Sequence, residues 1–123
     1  MAVTKKNKSG KLVIELKMIN SLAFSKLPGT ATKLLFYFLC RRQVSKIGRK
    51  GKERWAIINN GEIVFTYSEA EKKFGFTRPR FRRALDELIK FGFIDINHHG
   101  GGLNHDYTTY FVSERWKLYG TQE

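Results

Sequence analysis

Residues 68–91, SEAEKKFGFTRPRFRRALDELIKF, carry the pattern that decides the fold. Ser68 is followed three residues later by Glu71, which is typical of a helix start, because each side chain can bind a free backbone N–H of the first turn. The pattern predicts a short helix over about 68–74 that ends at Gly75.

A second, longer helix is predicted directly after this turn, from Thr77 to about Lys90. Thr77 can cap the helix, and Pro79 is tolerated in the first turn because its missing N–H is not needed there. The buried face is marked by an apolar stripe at helical spacing: Phe81, Ala84, Leu85, Leu88 and Ile89. Short helix, glycine turn and longer helix follow in the order of a helix-turn-helix, whose second helix enters the major groove of DNA.

Four arginines lie near the start of this second helix: Arg78, Arg80, Arg82 and Arg83. The apolar stripe places them mostly off the buried face, and the planar guanidinium can bond O6 and N7 of guanine together. The alternative is a merely solvated helix face, in which Asp86 and Glu87 neutralise Arg82 and Arg83. We predict DNA contact for all four arginines, with Thr77 bonding a phosphate at the helix start.

Residues 93–113 predict a β-hairpin directly after the second helix. Residues 93–97 and 107–113 alternate apolar and polar side chains, and three consecutive glycines lie between them. A helix-turn-helix followed by such a hairpin is a winged-helix arrangement. The glycines would let the loop approach a sugar-phosphate backbone, and His98, His99 and Asn104 are predicted to contact phosphate or a minor groove.

The first forty residues add a tail, a strand and two helical segments to the prediction. Residues 1–11 are polar and basic, which indicates a flexible tail, and residues 12–123 are predicted to form one domain. Alternation over residues 12–18 predicts an extra N-terminal strand. Asn20 or Ser21 could cap a short helical turn through Phe24, and a longer helix is predicted from its cap at Thr30.

The middle of the chain predicts an exposed loop and an extra hairpin. Residues 41–54 hold seven basic residues and one acidic residue, which indicates a loop. Asn59-Asn60-Gly61 between two β-prone runs predicts a hairpin. Non-specific phosphate contact is predicted for five cations: Arg49, Lys50, Lys52, Lys72 and Lys73. The alternative for the loop is a solvated segment that happens to be basic.

The charge composition favours polyanionic partners. The chain has 23 basic and 11 acidic residues and a formal net charge of +12, which suits DNA, RNA or an acidic membrane surface. One cysteine, Cys40, excludes an internal disulfide and fits the cytoplasm; its apolar helical setting predicts burial. No apolar run reaches bilayer length, so we expect no membrane partner.

Residues 18–120 resemble small bacterial winged-helix proteins of phages, plasmids and other mobile elements. The most specific matching pieces are the NNGEI turn, the Tyr-Ser-Glu-Ala helix start, the Arg-Ala-Leu-Asp-Glu-Leu segment and the Gly-Phe-Ile sequence before the wing. The resemblance implies an α+β winged helix-turn-helix in the cytoplasm, with a three-helix core and a β-hairpin wing. It implies sequence-specific binding of double-stranded DNA, as a transcription regulator or as the DNA-binding part of a replication initiator.

Other functional classes have weaker support in the sequence. No nucleophile motif or phosphate-cradling loop indicates an enzyme, a cofactor or a small-molecule ligand. Three histidines, His98, His99 and His105, could bind a metal only in a floppy glycine loop, so no metal is predicted. A protein-interaction module would have no need for four arginines, and RNA's deep major groove suits a helix poorly. A homodimer through the N-terminal strand or the segment around Trp116 and Tyr119 stays open.

Overall fold

A computed structural model describes residues 4–6, by their backbone, together with residues 12–101 and 106–120; over these residues the architecture is α+β, as predicted. The elements are β1 (Thr4–Lys6), α1 (Leu16–Ile19), α2 (Leu22–Ser25), α3 (Gly29–Cys40), β2 (Gln43–Ile47), β3 (Arg54–Ile57), β4 (Ile63–Val64), α4 (Tyr67–Phe74), α5 (Arg78–Lys90), β5 (Ile94–His98), β6 (Thr109–Val112) and a 3₁₀ helix (Arg115–Leu118). None of the helices among the described residues is long and apolar enough to cross a bilayer.

The strands form two separate antiparallel sheets of three strands each. One has the order β1-β2-β3, and the other has the order β4-β6-β5. In the first sheet Ser45 lies opposite Ala56 and Lys46 lies opposite Trp55. In the second sheet β5 and β6 form the predicted hairpin, with an irregularity of register between Ile96 and His98.

The core lies between α3, α5 and the second sheet, and aromatic rings dominate it. Phe38 on α3 contacts Phe65 and Tyr110, in each case at 5.1 Å between ring centroids. Phe93 stacks on Trp116 of the 3₁₀ helix at 6.1 Å, so this short helix closes one end of the core. Burial of these large apolar rings is the main contribution to the stability of this small domain.

The boundaries of α5 and the end of α4 agree with the sequence patterns. Thr77 Oγ1 accepts the N–H of Arg80 at 3.4 Å, and α5 runs from Arg78 to Lys90. Gly75 follows α4 with φ at +74°, a conformation that favours glycine. Ser21 caps α2 by accepting the N–H of Phe24 at 3.1 Å.

The predicted cap of α4 at Ser68 is wrong by two residues. Thr66 is the cap, because its hydroxyl accepts the N–H of Glu69 at 3.1 Å. Ser68 lies inside the helix, and Glu71 accepts a hydrogen bond from the hydroxyl of Tyr67 instead of reaching back to Ser68. Thr66 and Glu69 repeat the same sequence spacing, and Glu69 is held there by an ion pair with Arg41.

The predicted N-terminal strand over residues 12–18 is also wrong. Leu12 and Ile14 do alternate with exposed Val13, but α1 begins at Leu16 and leaves that side chain 74% exposed. Met18 is buried from a helix instead. The N-terminal strand of the structure is β1, which falls within the predicted tail; residues 1–3 and 7–11 lie outside the described part of the chain.

The middle of the chain is organised differently from the prediction. The supposed loop 41–54 contains β2, which pairs with β3 to form a hairpin. Asn59-Asn60-Gly61 connects two sheets rather than two paired strands, because β4 pairs with β6. Long-range bonds hold this connection: Asn59 bonds Gln43 N–H and the Arg41 carbonyl, and Asn60 bonds both backbone groups of Val112.

Two smaller expectations about α3 are wrong. The helix begins at Gly29 after Pro28, so Thr30 lies within its first turn and does not cap it. The Pro28 carbonyl accepts both the N–H and the hydroxyl of Thr32 instead. Cys40 is exposed rather than buried, because it lies one position past the apolar stripe that ends at Leu39.

Candidate nucleic-acid interface

Helix α5 presents a basic surface opposite its buried face. Phe81, Ala84 and Leu88 are buried against the core. All four predicted arginines are exposed: Arg78, Arg80, Arg82 and Arg83. The helical register predicted from the apolar stripe therefore places them in solvent at the first two turns of the helix. We call this set the α5 arginine surface.

Two of these arginines are oriented by neighbouring side chains. The guanidinium of Arg78 lies 4.4 Å from the ring centroid of Tyr67, at the start of α4. Arg80 Nη2 donates to Thr30 Oγ1 at 3.4 Å. Stacking on Tyr67 restricts the rotamers of Arg78 and leaves its N–H groups available at the edge of the ring. The sequence did not indicate these partners, because Thr30 and Tyr67 belong to other helices.

Tyr67 is itself held by α4. Its hydroxyl donates to Glu71 Oε2 at 2.9 Å. This hydrogen bond to the Glu71 carboxylate is the main cause that raises the pKa of Tyr67. The ring under Arg78 is thus fixed in position by a residue one helical turn away.

Arg82 and Arg83 keep their charges free for a ligand. Within residues 12–101 and 106–120, neither side chain forms an ion pair, and Asp86 and Glu87 do not act as their partners. The solvated-face alternative expected these two carboxylates to neutralise Arg82 and Arg83. Two uncompensated guanidinium groups on consecutive residues attract a polyanion.

Asp106 holds the ends of the loop between β5 and β6, which is the predicted wing loop. His98 Nε2 lies 2.7 Å from Asp106 Oδ1, and Gly101 N–H donates to Asp106 Oδ2 at 2.7 Å. The His98 contact, followed by the Gly101 bond, holds the pKa of Asp106 below its usual range. Both His98 and His99 are exposed, but His98 is engaged with Asp106 within the loop. The predicted contact residue Asn104 lies outside the described residues.

The wing segment is not basic. Residues 93–113 contain two aspartates and no lysine or arginine. One of them, Asp95, accepts a bond from Arg115 Nε at 2.9 Å, and this bond is the main cause that lowers the pKa of Asp95. Arg115 also donates to the Ile89 carbonyl at the end of α5, at 3.0 Å. The N–H groups of Gly100 and Gly101 already donate to Thr108 Oγ1 and Asp106 Oδ2, so phosphate contact by the described part of the predicted wing would depend on His99 rather than on cationic side chains.

An aromatic groove lies between the wing and the starts of α4 and α5. It encloses about 290 Å³. Its lining residues are Phe65, Thr66, Tyr67, Phe81, Gly100, Asp106, Tyr107, Thr108 and Tyr110. Tyr107 is half-exposed there, although its sequence pattern indicated only a strand residue. Its place beside a glycine-rich loop was the signal that could have identified it.

The five predicted phosphate-binding cations occupy two places. Lys72 and Lys73 are exposed on α4, where Lys73 Nζ lies 3.4 Å from Glu69 Oε2. Partial burial acts to raise the pKa of Glu69, but Arg41 and then Lys73 outweigh it and hold the pKa below its usual range. Arg49, Lys50 and Lys52 lie in the exposed turn between β2 and β3, which belongs to the other sheet.

No group of three or more histidine, cysteine, aspartate or glutamate side chains is placed to hold a metal ion within residues 12–101 and 106–120. His105, the third histidine of the sequence, lies outside those residues. Comparison of the chain with protein-family models, with curated proteins and with solved structures finds no match.

Proposed function

We propose that α4, the turn at Gly75 and α5 act as a helix-turn-helix, that β5 and β6 act as its wing, and that this winged helix binds double-stranded DNA. Three features support the proposal: the element order from α3 to β6, the sheet order β4-β6-β5, and the packing of α3 on α5. The observation that carries it is the α5 arginine surface, with Arg82 and Arg83 unpaired among the described residues.

In this proposal the start of α5 lies in the major groove. Arg82 and Arg83 supply guanidinium groups to guanine edges or phosphates. Arg78, stacked on Tyr67, and Arg80, bonded to Thr30, are restrained near the helix start, which lowers the entropy cost of ordering them on DNA. The uncharged backbone of Gly100 and Gly101 lets the wing approach the sugar-phosphate chain closely.

Sequence-specific binding of this kind is the activity of a transcription regulator, and we propose that role for the protein. A protein-interaction module is disfavoured because it would have no need for four exposed arginines at the start of one helix, whereas a polyanion is attracted by them. The net charge of +12 adds sequence-independent attraction to DNA.

The experiment compares two double variants in a fluorescence-anisotropy assay on duplex DNA selected from a random library. Arg82→Ala/Arg83→Ala removes two charges from the start of α5. Lys90→Ala/Lys117→Ala removes two charges from the opposite end of α5. Lys90 is the last residue of α5. Lys117 lies near that end, because the N–H of its neighbour Trp116 donates to the carbonyl of Gly92. A loss of about 1–3 kcal/mol per base-reading arginine is expected in the first variant.

The control variant should bind within about threefold of the parent, since the predicted interface lies some six residues or more away along α5. For the parent, neutralisation of about six phosphates predicts a slope near −5 for log K against log salt. Equal losses in the two variants would mean that charge alone, and not α5, governs binding. Selection that returns no enriched sequence would disprove sequence specificity.

A further inference from the structure

Trp55 is the most unusual exposed side chain outside the proposed interface. It lies on β3, an edge strand of the β1-β2-β3 sheet, and 55% of its surface is exposed. The other tryptophan, Trp116, is 6% exposed and stacks on Phe93. Exposing a large aromatic ring to water is unfavourable, so a half-exposed tryptophan on a strand indicates a surface that binds something.

The register of β2 and β3 gives this surface its composition. Trp55 lies directly opposite Lys46, and Ile57 lies directly opposite Val44. Residues that face each other in an antiparallel pair share one side of the sheet, so these four side chains form one face. Ser45 and Ala56 lie on the other side, where Ser45 is buried. The face with Trp55 is the more exposed one and is called the outer face below; Ile57, at the end of this face away from the turn, also lines a cavity beside Met18 of α1 and Leu39 of α3.

The turn at the end of this face is strongly cationic and locally well held. Residues 43–58 contain five basic residues and one acidic residue. The acidic one, Glu53, accepts Gly51 N–H at 2.8 Å and pairs with Lys46 Nζ at 3.0 Å. Arg49, Lys50 and Lys52 are exposed and form no ion pair with a described residue. Glu53 thus shapes the turn and leaves three cations beside the aromatic face.

We propose that the outer face of the β2–β3 hairpin is a second nucleic-acid site, which binds an unpaired base of a single strand on Trp55 and the flanking phosphates on Arg49, Lys50 and Lys52. An aromatic ring beside a cationic groove is the combination that binds single strands without a sequence code. Only an unpaired base offers its face to Trp55, because the bases of a duplex are stacked on each other.

The positive charge of this surface favours a nucleic-acid strand over a second copy of the chain as its ligand. Two hairpins docked face to face would bring two clusters of excess positive charge together, which opposes association. A polyanion relieves that repulsion instead. The site is also independent of the α5 arginine surface, because its residues belong to a different sheet and turn.

The test uses the whole chain and three labelled probes: a 15-nucleotide oligothymidylate, the matching oligouridylate and the selected duplex. Trp55→Leu keeps an apolar side chain without an aromatic ring, and Trp55→Phe keeps a ring. We expect Trp55→Leu to weaken binding of the single strand about 10-fold or more and Trp55→Phe to stay within about threefold. Duplex affinity should change less than threefold in both.

Intrinsic fluorescence gives a second readout. Stacking of thymine on Trp55 should quench emission of the parent on titration, whereas Trp55→Phe should bind without that quenching, because Trp116 stays buried. Leu16→Ala, which removes another exposed apolar side chain, is the matched control and should bind as the parent does. The oligouridylate arm shows whether DNA or RNA is the preferred single strand.

Parent-like binding of the single strand by Trp55→Leu would overturn the proposal, as would an equal loss on duplex and single strand. A sedimentation shift from dimer to monomer in Trp55→Leu would overturn it in favour of a second copy. Arg82→Ala/Arg83→Ala separates the two sites: it should weaken the duplex complex only. Failure of the parent to bind duplex, with single-strand binding intact, would count against the proposed function alone.

Discussion

The two β-hairpins of the protein, β5–β6 and β2–β3, are both antiparallel strand pairs, but the first is packed on the core and the second is largely exposed. Ile94 and Tyr110 of the first are 0% and 4% exposed, and its two strands join β4 in a sheet on the core. The second lies in a separate sheet and leaves Trp55 half-exposed. The first has no lysine or arginine in residues 93–113, whereas residues 43–58 of the second hold five basic residues.

The comparison shows that the position of a hairpin and its charge have different origins in this protein. Core packing fixes the β5–β6 hairpin directly after α5. The position of its loop relative to α5 therefore does not depend on cationic side chains. The β2–β3 hairpin contributes little to the main core but carries much of the excess charge. Charge alone would direct any polyanion to the β2–β3 hairpin, whereas the duplex docking that we propose depends on where core packing places β5–β6, since attraction to polyanions is set by charge and docking geometry is set by packing.

The largest expected effect tests this difference in packing. Ile94→Ala should lower the free energy of unfolding by about 2–5 kcal/mol, because it leaves a cavity under β5. Trp55→Ala should cost less than about 1 kcal/mol, since much of its ring is already in water. Urea unfolding followed by circular dichroism measures both. A Trp55→Ala variant as unstable as Ile94→Ala would place the β2–β3 hairpin in the core and end the contrast.

Local patterns predicted the part of the fold in which neighbours along the chain also determine the structure. The bounds of α5, the Thr77 cap and the β5–β6 hairpin follow from helical spacing, one hydroxyl and alternation. The cap of α4 could not be chosen this way. Thr66 and Ser68 each precede a glutamate by three residues, and the choice depends on Arg41, which binds Glu69 from 28 residues away.

The candidate site divides in the same way. Exposure of the four arginines could be predicted, because it follows from the spacing of the buried residues on the same helix. The ring under Arg78 and the hydroxyl beside Arg80 could not be predicted, because both are contacts between helices. The exposed face of β3 was missed because Asn59-Asn60-Gly61 suggested the wrong strand pairing. No local signal showed that the amides of Asn59 and Asn60 bond residues 16 and 52 positions away.

These two asparagines allow a sharper test of how the hairpins are fixed. Asn59→Ala removes bonds to Gln43 N–H and the Arg41 carbonyl at the base of β2. Asn60→Ala removes both bonds to the backbone of Val112 in β6. Each change should cost about 1 kcal/mol.

Amide hydrogen exchange measured by NMR distinguishes the two variants. Asn59→Ala should speed exchange in β2 and leave β6 at the parent rate, and Asn60→Ala should do the reverse. Faster exchange in both strands from either change would show that the hairpins open together as one unit. In that event their separation into two sheets would have no energetic meaning.

The smallest expected effect concerns one acidic residue in each hairpin, Asp95 in β5–β6 and Glu53 in β2–β3. Arg115 lowers the pKa of Asp95, so the carboxylate is stabilised in the folded state; this contribution is complete above the unfolded pKa of about 4 and is lost as pH falls through the lowered pKa. Asp95→Asn should therefore cost up to about 1 kcal/mol at pH 7, a value limited by solvent screening, and less near pH 2, because the carboxylate becomes protonated as the pH falls through the lowered pKa. Urea unfolding at the two pH values gives this difference.

Glu53→Gln is the matched variant in the other hairpin. The Gly51 N–H, followed by Lys46, lowers the pKa of Glu53, but this exposed carboxylate lies in a turn that can open without disturbing the core. The variant should leave global unfolding unchanged at both pH values and should speed exchange only at the turn amides. Global destabilisation by Glu53→Gln comparable with that of Asp95→Asn would mean that the β2–β3 turn unfolds with the core, because a group that opens locally cannot contribute to the global free energy.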